Sequence, residues 1–293
     1  MRVVFIGNVK LSLTLLETLI YSNVDIVGVC TKKESKINAD HVDLSEISET
    51  HRIPCVYSTN INSIETISWI RSLRPDVIFC VGWSELIQRE LIELPSYGVI
   101  GFHPTALPSN RGRHPITWAL VLGLSETGST FFFIDEGIDS GRIISQERIA
   151  ISDFDDATTL YEKITETAKM QINSIVSNLK NNKLASVPQN HSLANVWRRR
   201  KFADGQIDWR MTANSVHNLV RGLTRPYVGA HFVSQGEQVR VWRTEVFQDG
   251  EINIEPGKVL ALTKNGPVIK CGGGSILLLE TEPRSWQPKG DYL

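Results

Sequence analysis

The chain has 293 residues, with 31 Lys and Arg against 32 Asp and Glu, a formal net charge of −1. A hydrophobic share of 41% with 22% charged residues excludes intrinsic disorder, and the near-neutral balance disfavours an extended nucleic-acid surface. No apolar run approaches the roughly 18–20 residues of a membrane span. The N-terminus MRVVFIGNVK runs straight into a strand-like stretch without a signal peptide's features. Cys30, Cys55, Cys80 and Cys271 form no C-x-x-C pair, and Cys30 and Cys80 sit in apolar runs. Buried thiols in a reducing compartment follow, and the expectation is a soluble cytoplasmic protein.

In chain order, Arg2 to Ile6 predicts a strand reaching Gly7, and Leu11, Leu15, Leu16 and Leu19 recur at helical spacing. Asp25 to Thr31 is strand-like, Leu44 to His51 helical, and Pro54 to Tyr57 a short strand. A helix over Ile64 to Leu73 precedes Asp76 to Gly82, the most apolar strand candidate, and Gly98 to Phe102 is the next. Strands that are apolar end to end and alternate with helices imply a parallel sheet covered on both faces, a Rossmann-like α/β unit. Ligands of such sheets bind beyond the carboxyl ends of the strands. Gly128 to Ile134 is a further buried strand, and Thr158 to Leu179 a long helix. The polar stretch Asn178 to Asn195, with Pro188, reads as a linker. Thr212 to Leu223 predicts a helix, followed by short β-type runs at His231 to Val233, Gln238 to Val246, Gly257 to Thr263, Val268 to Cys271 and Ser275 to Glu280. That spacing suggests a small OB-like β-barrel. The domains expected are 1–185, a linker over 186–204, and a C-terminal unit over 205–293.

Gly7 stands alone after the first strand, so a G-x-G-x-x-G dinucleotide site is not expected, and no Walker A, H-E-x-x-H or G-x-S-x-G sequence occurs. His41, His51, His191, His217 and His231 are scattered singly, which supports no metal centre. Chemistry concentrates in Gly101 to Trp118. His103 falls just beyond a strand tip, Pro104 and Pro108 stiffen the loop, and Arg111 and Arg113 offer donors suited to carboxylate or phosphate. The strand over 128–134 ends in the acidic, turn-rich Asp135-Glu-Gly-Ile-Asp139-Ser-Gly141. His103 and Asp139 could meet at the mouth of the sheet, where a carboxylate favours the charged ring and fixes its tautomer. Such a histidine is a general acid–base.

These residues resemble the signature of the folate-dependent formyltransferases: Asn-x-His, a Leu-Pro-x-x-Arg-Gly loop, then an Asp. Here Leu107-Pro108 and Arg111-Gly112 fall in register, and Asp139 follows His103 by 36 residues. Ala203 to Trp209 and Leu219 to Ala230 resemble the start of the family's C-terminal OB-like domain. Within the family, Arg111-Gly-Arg-His-Pro is most similar to the nucleotide-sugar N-formyltransferases. The methionyl-tRNA formyltransferases carry a longer basic loop after the second strand; here Lys32 to Asp40 is shorter and of mixed charge.

The resemblance implies transfer of a formyl group from N10-formyltetrahydrofolate to an aminosugar nucleotide for surface-glycan (lipopolysaccharide or O-antigen) biosynthesis. The amine attacks the formyl carbon, the tetrahedral intermediate expels the folate nitrogen, His103 stabilises and donates a proton, and Asp139 holds the ring. By the same analogy the folate lies against Trp83, Glu85, Leu86 and Ile87 and the loop Asp135, Glu136, Gly137, Ile138 and Asp139. Arg111, Pro104 and Thr105 serve the substrate, and Arg113 either moiety. A homodimer is compatible with this reading, and a nucleic-acid partner is disfavoured. Gly101 stands where the family has its asparagine, whose amide donates to the developing oxyanion. Three accounts remain: a nearby donor such as a backbone N–H, Asn110 or a water takes over; the protonated His103 acts alone; or the protein binds without turnover. Methionyl-tRNA formylation, formyl-folate hydrolysis and a catalytically weak folate- or nucleotide-binding homologue are the competing functions. For Arg198-Arg-Arg-Lys201, a solvated face is favoured over phosphate binding.

Overall fold

The computed structural model describes residues 1–35, 38–247 and 253–293. They form two compact units: one of 1–115, 127–149 and 162–197, the other of 116–126, 150–161 and 198–293. In chain order the elements begin with β1 (Arg2–Gly7), α1 (Lys10–Tyr21), β2 (Asp25–Thr31), α2 (Ser45–Thr50), β3 (Cys55–Tyr57), α3 (Ile64–Ser72) and β4 (Val77–Val81). Then come α4 (Arg89–Ile92), β5 (Val99–His103), β6 (Arg111–Gly112), α5 (Pro115–Val121), β7 (Glu126–Phe133), β8 (Ile143–Ala150), α6 (Ala157–Lys180) and β9 (Val196–Trp197). The remainder is α7 (Ala213–Leu223), β10 (Ala230–Ser234), β11 (Glu237–Phe247), β12 (Val259–Thr263), β13 (Gly266–Lys270) and β14 (Ser275–Glu282).

The first unit is built on a seven-strand sheet ordered β3-β2-β1-β4-β5-β7-β8. The β3–β2, β2–β1, β1–β4 and β4–β5 pairs are parallel. Burial of Val3 to Gly7 and of Val77 to Val81 explains the unbroken apolar runs, because both faces of these central strands are covered. Gly7 is dictated by packing: a Cβ there would lie 2.6 Å from Ser12 Cβ and 2.8 Å from the Val81 carbonyl. The Ser12 hydroxyl donates to that carbonyl at 2.7 Å, tying α1 to the carboxyl end of β4.

Several elements depart from the sequence reading: the short α4, β6 and β9 lie where it placed no helix or strand, and β7, β8 and α5 differ more consequentially. β7 runs antiparallel to β5, with Phe133 opposite Ile100 and Thr130 opposite His103. It forms the antiparallel margin of a mostly parallel sheet together with the edge strand β8, whose residues are largely exposed or half-buried and include Gln146, Glu147 and Arg148. No apolar run announces β8. α5 hides in the loop-like stretch after Arg113, and Pro115 occupies its first position, where a missing N–H costs nothing.

The second unit carries an antiparallel sheet ordered β10-β11-β14-β13-β12, the small barrel-like domain the sequence predicts. The Thr212 hydroxyl caps α7 by accepting the Ser215 N–H at 3.1 Å. The apolar face of α7, Ala213, Val216, Leu219, Val220 and Leu223, joins Phe232, Val239, Val241 and Ile276 in one core. Two histidines are embedded here. His217 Nδ1 bonds the Thr244 hydroxyl at 3.0 Å, and His231 stacks on Phe202 with ring centroids 4.2 Å apart. Burial, aided by nearby Arg221 and Arg240 respectively, pushes both imidazoles below their ordinary value. The fold therefore favours the neutral rings. Their stabilising contribution is present above about pH 6.5 and is lost as the pH falls below it. Thermal unfolding should show the wild type losing about 2–4 °C more between pH 7.5 and 5.5 than His217→Gln/His231→Gln does; equal losses would refute this origin.

Candidate active site

β5 delivers His103 at its carboxyl end, with the residue 5% exposed. Nε2 lies 2.8 Å from the Asn110 carbonyl, and a carbonyl only accepts, so Nε2 carries a hydrogen. Nδ1 lies 3.7 Å from Asp139 Oδ2, an ion-pair distance outside direct hydrogen bonding. That oxygen accepts the Gly112 N–H at 2.8 Å. The tautomer is thus fixed by Asn110, while the carboxylate stands beside the open nitrogen. Because β7 ends beside Ile100, Asp139 does not come from a neighbouring strand tip. The loop after Phe133 turns back toward His103 before closing on β8, and Phe133 N–H bonds the Arg142 carbonyl at 2.9 Å.

Asn110 (φ 65°), His114 (φ 54°) and Asp139 (φ 49°) all adopt the left-handed conformation. Strain of this kind clusters where surroundings over-determine a functional loop. Gly112, at φ 102°, needs its glycine twice, since a Cβ would also meet the Trp197 carbonyl at 2.3 Å. At Gly101 a Cβ would lie 2.8 Å from Ile134 Cγ1 and 3.1 Å from Phe132 Cζ, so aliphatic and aromatic atoms fill the space a side chain would take.

The other expected residues divide into open and enclosed. Leu86 and Ile138 are exposed apolar side chains, and Arg113 is exposed, with one guanidinium nitrogen donating to the Ser84 carbonyl. Glu136 is open, 3.9 Å from Arg89. Asp135 Oδ1 accepts from the Gly137 N–H at 3.0 Å and the Ser140 hydroxyl at 2.6 Å, which shapes the loop from within. Glu85 is engaged by Lys32 at 2.5 Å and by the Ile61 N–H at 3.0 Å. Lys32 also sits 4.6 Å from the centre of the Trp83 ring. Trp83 Nε1 is the one buried side-chain polar atom without a partner among the described residues.

Three positions are interior and a fourth is half-buried. Ile87 belongs to the core, and Thr105 is fully buried with its hydroxyl on the Ser109 carbonyl at 2.9 Å. Pro104 is half-buried, its carbonyl accepting the Thr127 hydroxyl at 3.0 Å. Arg111, 8% exposed, turns to Gln189 and His191 instead of facing outward. Gln189, in the stretch read as a linker, bonds both Arg111 and the Asp139 loop, which the sequence does not announce; a polar run around a proline carries no such signal.

Two members of the basic run, Arg198 and Arg200, are engaged locally, while Arg199 and Lys201 are exposed. Arg198 grips Asp204 at 2.7 and 2.5 Å, which holds that carboxyl well below the usual range, and Arg198 and Arg200 lie 5.3 and 4.8 Å from the Trp118 ring centre. Among the described residues, no group of three His, Cys, Asp or Glu could hold a metal ion. No helix there is long and apolar enough to cross a membrane.

An open α/β sheet binds its ligands in the crevice beyond the carboxyl ends of its strands, and there this chain places a buried imidazole with a carboxylate beside it. This chain belongs to the formyl transferase family: residues 1–176 match the Formyl transferase model and residues 200–288 its C-terminal domain. It is accordingly a formyltransferase. The chain is 29% identical to the methionyl-tRNA formyltransferase of Acetivibrio thermocellus over 286 residues, 96% of this chain and 92% of that protein. It is also 29% identical to that of Geobacter sulfurreducens, over 100% of this chain and 93% of the relative. Among solved structures it resembles WlaRD, a sugar 3N-formyl transferase crystallised with dTDP and 5-N-formyl-THF (TM-score 0.71, 18% identity, 95% of this chain and 97% of that one). It resembles also the N-formyltransferase of Helicobacter canadensis with folinic acid and dTDP-3-aminofucose (TM-score 0.72, 17% identity, 95% and 99%). At these identities the structural likeness carries the fold alone.

Proposed function

We propose that this formyltransferase moves a formyl group from N10-formyltetrahydrofolate to the amine of a nucleotide-linked amino(dideoxy)sugar. The observation that carries the reading is His103 Nδ1 beside Asp139 Oδ2, with Nε2 already committed to Asn110. The folate donor supplies an activated one-carbon acyl group. Leu86, Ile138 and Trp83 would hold it: two exposed apolar side chains and an indole N–H lacking an acceptor fit a flat heteroaromatic ligand rich in carbonyl and ring-nitrogen acceptors. His103 takes up at Nδ1 the proton lost by the attacking amine and returns it to the departing nitrogen, and Asp139 balances the ring's charge in between. Arg113, exposed, offers its remaining N–H groups to a phosphate.

The formal net charge of −1, with several cations engaged in local ion pairs, supports a small acceptor over tRNA. Lys32 is neutralised by Glu85 in the segment Lys32–Asp40, of which Lys36 and Ile37 lie outside the described residues. In the C-terminal unit Arg198, Arg210, Arg225 and Arg240 are each paired with a carboxylate. Nucleic-acid affinity rests on cations free to meet phosphates. The methionyl-tRNA relatives make tRNA the second reading. Incubation of the protein and formyl-folate with a panel of aminosugar nucleotides, and separately with charged initiator tRNA, distinguishes them. A product heavier by one formyl group names the sugar; formylated tRNA with steep salt dependence would replace this proposal.

A further inference from the structure

We infer that Gln189 is the positioning residue that sets the reach between Asp139 and His103, an inference that rests on the His103–Asp139 chemistry just proposed. Gln189 is 6% exposed, and its amide is fully used. Nε2 donates to the backbone carbonyls of Asp139 at 2.9 Å and Gly141 at 2.7 Å. Oε1 accepts from Arg111 Nε at 3.2 Å and from a terminal guanidinium nitrogen at 2.6 Å. A primary amide has two donors and two acceptor lone pairs, so no valence is left over.

The two ends of this clamp are the two loops that meet at the carboxylate. Arg111 precedes Gly112, whose N–H binds Asp139 Oδ2, and both residues are held in β6 against β9. The other end grips the backbone of Asp139 itself. Asp139 sits at φ 49°, in the left-handed region that few residues besides glycine, asparagine and aspartate adopt. The loop has little slack beyond it, because a Cβ on Gly141 would lie 1.7 Å from the Phe133 carbonyl. Val187 and Ile143 exchange backbone bonds at 2.8 Å, fixing the chain just before Gln189. Arg111, buried between Gln189 and His191, therefore acts through the loop and not on substrate.

The test compares wild type, Gln189→Glu, Asp139→Asn and the double variant, with formyl-folate and a dTDP-linked 4-amino-4,6-dideoxyhexose, or charged initiator tRNA if that is the acceptor found. Glu keeps the shape and the acceptor for Arg111 but removes both donors to the Asp139 loop. Gln189→Glu should lower kcat by about 30-fold or more with each KM within about threefold, and add less than about threefold to Asp139→Asn, because residues acting as a unit are not additive. A wild-type kcat, a loss confined to KM, or independent losses multiplying in the double variant would overturn the inference. A merely structural role lowers the unfolding midpoint without this kinetic pattern. Should Gln189→Glu fail to fold, Gln189→Met, of similar volume, removes both donors and also the acceptor for Arg111, and the same loss in kcat, not additive with Asp139→Asn, is expected. If His103→Ala retains activity, the proposed chemistry fails; if His103→Ala is inactive while Gln189→Glu is unimpaired, only the clamp fails.

Discussion

His103→Ala is expected to lower the turnover of formyl-folate with its amine acceptor by about 10³-fold, the middle of the range for removing a positioned acid–base. The effect belongs mainly in kcat, because the ring is buried at the carboxyl end of β5, with Nε2 fixed on Asn110, and contributes little area for binding. The fold should survive. The Asn110 carbonyl loses its partner, at a cost of about 1–3 kcal/mol, which is readable as a modest drop in unfolding midpoint. Asp139→Asn separates the two partners: it retains the shape of the loop while removing the charge facing Nδ1, and should fall between wild type and His103→Ala. Tetrahydrofolate release followed by absorbance, with product mass as a second readout, decides the matter. Turnover by His103→Ala at the wild-type rate would remove the imidazole from the reaction.

Gly101→Asn, which restores the residue type of the resembling family, should not restore a faster enzyme by itself. Its Cβ would enter the space held by Ile134 and Phe132, and overpacking of this kind costs about 1–3 kcal/mol. Gly101→Asn/Ile134→Ala clears the nearer obstruction. If the developing oxyanion lacks a side-chain donor at this position, the double variant should gain up to about 10²-fold in kcat over Ile134→Ala alone, the lower end of what one such donor provides. Unfolding midpoints of the four proteins report the packing, and kcat reports the donor. A stable, faster Gly101→Asn single variant would show that Ile134 yields freely. No gain in the double variant would mean that another donor already serves the oxyanion.

Much of the fold is legible in the residues. Val3 to Ile6 and Val77 to Val81 read as buried strands because a parallel sheet covered on both faces needs apolar side chains at every position. The heptad-like face of α7 and its Thr212 cap are equally local signals. The pairing of His103 with Asp139 is suggested by spacing alone. Its geometry is not, because the antiparallel course of β7 carries the chain away from His103 before the Asp135–Gly141 loop returns. Arg111 and Thr105 look like ligand contacts in a Pro- and Arg-rich loop, yet both turn inward, since donors without solvent must find internal acceptors.

By itself, then, the sequence determined which segments are strands and helices, where the sheet's carboxyl edge lies, and which imidazole and carboxylate stand near it, because periodicity, burial and turn chemistry act over a few residues. Only the tertiary structure decided that Gln189 reaches across 50 residues to Asp139 and 78 to Arg111, and that Ile134 fills the space above Gly101. Such partnerships depend on which loops the fold brings within 3 Å, and a hydrogen bond or a filled volume leaves no periodic mark on either stretch of chain that makes it.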